Sequence, residues 1–193
     1  TLGIEETEGV KIDFLKPSCH CGMVFRDVRI PADAMLGAEG DAFATFSLPM
    51  RRVEDAISSA NKAGAFRYQI NRLGQEVAGM GLDKEALAEL GRLSAARDGL
   101  SALSYRAVEL LDLDPDNNAE EVEAITAAGR DWIKDLQQRV EAFIERAGMT
   151  PSPRLAAVTR DIVKTTGIAG GAHAIRAGRR ARDLMNTETE KNP

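Results

Sequence analysis

The sequence predicts a mainly α protein: an antiparallel up-down four-helix bundle preceded by a short β-hairpin remnant. Three observations lead there. From Ala42 onward apolar residues recur at spacings of three and four through several long segments, the signature of helices that each bury one stripe. Residues that cap helices stand at the joints: Asp83, Asn118 and Ser152 before such segments, and Gly148 after one. Period-two alternation is confined to the first forty or so residues. Long helices joined by short loops, each with a single apolar face, have a simple solution in an up-down bundle.

In chain order, Val10, Ile12 and Phe14 alternate with Lys11 and Asp13, so residues 10–15 read as a strand. The stretch KPSCHCG then connects to a second strand over about Gly22–Ile30, where Val28 and Ile30 point to one face and Asp27 and Arg29 to the other. Pro31 ends it. Gly37 and Gly40 permit a sharp reversal, and Asp41 is placed to cap the helix that begins at Ala42. Two strands alone are only marginally stable in water, so they are expected to belong to a larger sheet or to pack on the helices.

The first helical stretch runs from Ala42 to about Glu76, with Pro49 near its start as a kink or restart. Asp83 caps the second, whose apolar face is Leu87, Leu90, Leu93, Leu100, Leu103, Ala107 and Leu110, and residues 112–118 (DLDPDNN) end it. The third has the clearest stripe: Val122, Ile125, Ala128, Trp132, Leu136, Val140, Phe143 and Ala147, opened by Asn118 with Glu121 three positions on. Ser152 caps the fourth, with Pro153 in its first turn and Leu155, Val158, Ile162 and Val163 as its face. GIAGG at 167–171 interrupts the pattern before a last helical segment to about Met185. The domain reading is thus residues 1–40 as terminal strands of a β-domain, 41–186 as the bundle and 187–193 as a polar tail.

The chain has 193 residues, 44% apolar and 28% charged, enough for one well-filled core. A net charge of −5 argues against a nucleic-acid partner, which would be held by surplus Lys and Arg. No apolar stretch approaches the roughly 20 residues that span a bilayer, and no secretory leader pattern opens the chain. A cytoplasmic location without membrane contact is the expectation. The chain opens at Thr1 and moves at once into strand-like residues, as a fragment of a longer protein would. Cys19 and Cys21 flank His20 in SCHCG; on a strand their thiols would diverge, and zinc spacings bring in ligands this chain lacks, so two reduced cysteines and no metal are expected.

The order F-x-D-V-x-I-P-A at Phe25–Ala32, then L-G-x-E-G at Leu36–Gly40, then Phe43 closely resembles the link between the middle β-domain and the C-terminal helical domain of acyl-CoA dehydrogenases. The resemblance covers roughly Gly9–Phe43 by residues and the later helices by length and order. It implies a flavoprotein that holds FAD between the β-domain and the bundle and removes the α-proton and β-hydride of an acyl-CoA thioester. A carboxylate base must then stand within hydrogen-bond reach of the α-carbon's proton. The bundle of the resembled family also builds oligomers, so self-association as a dimer or tetramer through helix faces is implied.

In the commonest form of that family the base is a Glu in a Glu-Gly-Thr turn after an Arg-Asp helix. Arg160-Asp161 matches the helix, but the turn falls on Ala169-Gly170-Gly171, without a carboxylate. A minority branch that includes the isovaleryl-CoA dehydrogenases takes its base from the first helix of the bundle, and Glu54 in MRRVEDAISSANKAG stands at about that place. The resemblance therefore implies Glu54 as the catalytic base and Gly170 and Gly171 as a turn whose amides approach the cofactor. The other reading makes Glu54 and Asp55 a solvated helix pair. The family's Arg-x-x-Phe-Gly, which meets the FAD pyrophosphate, is missing from INRLGQEVAGMGLD; Arg67 or Arg72 substitutes, or both are surface charge. Arg176, Arg179, Arg180 and Arg182 with Lys164 form the densest basic patch, facing a phosphate, an acidic neighbour subunit or solvent. His173 beside the glycines is read as structural.

Two functions compete: a portion of an acyl-CoA dehydrogenase-like flavoprotein, not active as this segment alone, and a non-catalytic dehydrogenase-like helical module serving oligomerisation.

Overall fold

The computed structural model describes residues 2–16, 18, 20–168 and 170–189. Two short strands, β1 (Ile4–Glu6) and β2 (Met23–Phe25), pair antiparallel with Ile4 opposite Phe25. A 3₁₀ turn at Ala32–Ala34 and a π-helical turn at Phe43–Ser47 lead into five α-helices: α1 (Leu48–Glu76), α2 (Lys84–Leu113), α3 (Ala119–Arg146), α4 (Pro153–Gly167) and α5 (Gly170–Thr189). The mainly α bundle with its small hairpin is the architecture expected.

The hairpin differs from its expectation. Residues 10–15 form no strand, and β1 lies upstream at Ile4–Glu6. The second strand stops early because Asp27 takes a left-handed φ of 49°, which Asp tolerates better than most residues. Isolated bonds from Thr7 N to Gly22 O (2.9 Å) and Val10 N to His20 O (2.8 Å) carry the pairing no further. Leu15, also left-handed at 45°, instead donates its N–H to the Asp161 carboxylate on α4 at 3.2 Å. The remnant thus leans on the bundle. Gly37 and Gly40 make the reversal with φ of 75° and 90°. Asp41 contributes its carbonyl, which accepts from Thr45 N at 2.9 Å, and no side-chain cap is made there.

Pro49 occupies the first turn of α1, where its missing N–H costs least, so the restart follows the π-helical turn. The Asp83 and Ser152 caps form as expected, accepting from Ala86 N at 2.7 Å and Leu155 N at 3.3 Å. Asn118 makes no side-chain cap; its amide donates to Leu110 O at 2.9 Å and ties the end of α2 to the start of α3. Gly148 closes α3 at φ 60°. α5 continues through Thr189, past the expected start of the tail; residues 190–193 lie outside the described residues.

α2 packs between α1 and α3, and α4 closes the bundle against both α1 and α3. Phe66, Ile70, Leu73, Leu93, Leu100, Ile133, Leu136, Val140, Phe143, Leu155 and Ile162 share one core. A smaller cluster joins Ala56, Leu110 and Val122, so the start of α1 meets the end of α2 and the start of α3, as antiparallel neighbours must. The α3 stripe is displaced in its middle: Gly129 and Ile133 are buried where Ala128 and Trp132 were expected. Trp132 packs at the edge instead, its ring against Gly99 of α2, where a Cβ would stand 2.8 Å from the indole. Leu87 and Val163, also expected inside, are exposed.

The end of α1 is fastened to the start of α4 by Glu76. Its carboxylate pairs with Arg72 at 2.7 Å and accepts from Ser152 N at 2.9 Å and from the Ser152 hydroxyl. Burial pulls the Glu76 carboxyl up, but the Ser152 hydroxyl, the Ser152 N–H and Arg72 together hold it below the usual carboxylate range. A depressed folded value stabilises above the ordinary value and is lost as pH falls through the folded one. Glu76→Gln should therefore cost about 1–3 kcal/mol at neutral pH. Urea unfolding checks this: the gap between wild type and variant should close as pH drops below 4.5, and a gap independent of pH refutes the assignment.

Candidate functional site

The residues singled out in the sequence fall at three places around the start of α1 and the α4–α5 joint. On the outer side of the π-helical turn and the start of α1, Phe43, Phe46, Met50, Val53 and Ile57 recur at threes and fours and are all exposed, at 42–64%. Stripes with this spacing normally face a core, and this one is uncovered. Glu54 is exposed on the border of that stripe, with no ionic or hydrogen-bonding partner among the described residues.

Asp55, one position on, turns toward α3 and α5. Arg176 Nη1 of α5 donates to its Oδ2 at 2.9 Å, and Arg176 Nε lies 3.8 Å from Glu123. Glu54 and Asp55 are therefore no solvated pair: one stands free and the other is engaged. A cleft of about 200 Å³ opens here, lined by Arg51, Asp55, Val122, Glu123, Thr126 and Arg176. A second void, of about 20 Å³, shares Asp55 and Thr126 with it and is bounded also by Ser58, Lys62, Arg130 and His173, room for about one water. Lys62 donates to the Ser58 hydroxyl. Burial and the neighbouring Arg130 depress its ammonium's pKa, while Asp55 partly offsets them. Burial, then Arg130 and Arg176, likewise depress that of His173, which favours the neutral imidazole at pH 7. This constellation escaped the sequence reading, because the Asp55–Arg176 pair that closes it joins residues 121 apart.

At the joint, Gly170 and Gly171 are the first residues of α5 and helical, not a tight turn; Ala169 lies outside the described residues. A Cβ at either would meet nothing within 4 Å, so the opening turn of α5 is accessible. Arg130 secures the joint by donating to the carbonyls of Thr166 (3.2 Å) and Ile168 (2.6 Å). The opening turn of a helix presents backbone N–H groups of the kind that suit a phosphate.

Four of the remaining candidates have structural partners. Arg67 reaches Ser101 at 3.4 Å and Arg72 is held by Glu76. Arg160 pairs with Asp161 at 3.4 Å and Lys164 lies 4.0 Å from Asp13. Arg179, Arg180 and Arg182 are exposed. Cys21 is free and exposed, whereas Cys19 lies outside the described residues. Among the described residues no group of three or more His, Cys, Asp or Glu could hold a metal ion, and no helix is long and apolar enough to cross a membrane.

No family model, curated protein or solved structure matches this chain.

Proposed function

We propose that the chain is a portion of an acyl-CoA dehydrogenase-like flavoprotein that carries the base, Glu54, for α,β-dehydrogenation of an acyl-CoA thioester. The supporting observation is the position of Glu54: an unpaired carboxylate on the rim of an uncovered apolar stripe formed by Phe46, Met50, Val53 and Ile57. Covering that stripe with further protein or an acyl chain would strip water from the carboxylate and bring a substrate's α-carbon within its reach. Uncovered, Glu54 is solvated, which agrees with a segment that is inactive alone. The residues at the start of α5, Gly170 and Gly171, would meet the phosphates of FAD through backbone N–H groups. FAD, when bound, supplies the hydride acceptor. Glu54 removes the α-proton. A cytoplasmic setting belongs to the same reading.

The second reading, a non-catalytic dehydrogenase-like module serving oligomerisation, is favoured by one observation. Arg67 and Arg72, the residues that would replace the flavin-binding arginine, are occupied by Ser101 and Glu76.

The visible absorbance of the protein expressed from its natural start separates the two. Flavin bands support the enzyme; a folded protein that stays colourless with added FAD supports the module. If flavin binds, Glu54→Gln should abolish its reduction by acyl-CoA substrates. Because Glu54 is exposed and unpartnered, the substitution leaves folding intact, and unimpaired reduction removes Glu54 from the mechanism.

A further inference from the structure

α5 is 20 residues long, yet none of its described side chains is buried. It is held by polar contacts: Arg176 with Asp55 and Glu123, and Arg130 with the carbonyls just before it. His173 and Arg176 mark the side turned to the bundle. Beside it, Ala174, Ala177, Ala181 and Leu184 share a face by helical spacing, and all are exposed, Leu184 at 71%. Arg180 borders that face on one edge and Arg182 on the other. An amphipathic helix ordinarily lays its apolar face on a core; here its polar side makes the attachment.

A surface of matching character lies elsewhere on the chain. Between α3 and α4 runs an apolar groove of about 450 Å³, with Ile144, Pro151, Ala156 and Val163 on its walls. Its α3 lip carries Glu141 and Glu145, one turn apart and without a cationic partner among the described residues. The cations of the α4 lip, Arg160 and Lys164, already face Asp161 and Asp13. The unbalanced charge of the groove is negative, and that of α5 is positive.

The two surfaces cannot meet within one chain. Glu141 lies about 27 Å along α3 from Glu123, where α5 is tethered, whereas Leu184 is only about 12 Å along α5 from Arg176. We infer that the apolar face of α5 docks in the α3–α4 groove of a second copy of this chain, with Arg180 against Glu141 and Glu145. Reciprocal docking gives a closed two-fold dimer in which each copy lends one arm and receives one. This holds whether or not flavin binds.

The test is sedimentation velocity on the 193-residue chain across a concentration series, with circular dichroism to verify the fold of each variant. Wild type should dimerise. E141R/E145R and R180E should each weaken dimerisation at least about tenfold, because like charges would then face each other. Mixing the two variants should restore a heterodimer, since each then offers the charge the other needs. A wild type that stays monomeric overturns the inference. So does a dimer insensitive to both reversals, which would move the interface to the exposed stripe of α1.

Discussion

Phe66→Ala should lower stability by about 3–5 kcal/mol, the ordinary range for truncating a fully buried aromatic. Phe66 is completely buried and belongs to the core shared by α1, α2, α3 and α4. Its ring fills space between helices held by many other contacts, so the site cannot collapse and the cavity adds to the lost transfer energy. Against a typical total of about 5–15 kcal/mol, that loss is a large fraction of the stability of the fold. Urea unfolding followed by circular dichroism should show a lower midpoint with an unchanged slope. A midpoint shift worth less than about 1 kcal/mol would mean that the bundle repacks freely around this position.

Gln69→Leu and Gln137→Leu should each cost about 1–3 kcal/mol, whereas the double substitution should cost less than the sum. The two amides exchange hydrogen bonds, Nε2 of Gln69 to Oε1 of Gln137 at 2.8 Å and the reverse at 2.9 Å. Both side chains are buried, at 0% and 4% exposure. Gln69 also donates to the Thr159 hydroxyl at 2.8 Å, so one amide links α1, α3 and α4. Removing Gln69 leaves the Gln137 amide buried with donor and acceptor unmet, and removing Gln137 leaves the Gln69 carbonyl unmet while its amide keeps Thr159; unmet buried groups are the expensive half of hydrogen-bond energetics. Removing both replaces a satisfied polar pair by apolar volume. Strict additivity in a double-mutant cycle measured by urea unfolding would show that the amides do not act on each other.

The helices α1 to α4 were legible because their information is local. Apolar spacing, the Asp83 and Ser152 caps and the Gly148 stop each act over one or two turns. Where the reading failed, a distant partner decided. Residues 10–15 alternate like a strand, but the pairing went to Ile4–Glu6, and Leu15 found Asp161 across 146 residues. Trp132 was expected in the α3 stripe and sits at its edge because Gly99, on another helix, opens a slot there. The candidate site divides in the same way. Glu54 stands where its helix placed it, while the engagement of Asp55 by Arg176 exists only once α5 has been laid against α1 and α3.

The hydrogen bond from Gln69 to Thr159 closes a stretch of 90 residues, and that length bears on the order in which the molecule assembles. α1, α2 and α3 meet their sequence neighbours through short connections, so most of their contacts carry little loop-closure entropy. α4 has only 15 residues, too few to hold a helix alone in water, and its long-range reward lies on α1. The three long helices are therefore expected to form the nucleus, with α4 recruited to a surface they have already built. The buried amide of Gln69 waits on that step for one of its partners, which links the arrival of the last helix to the polar satisfaction of the first.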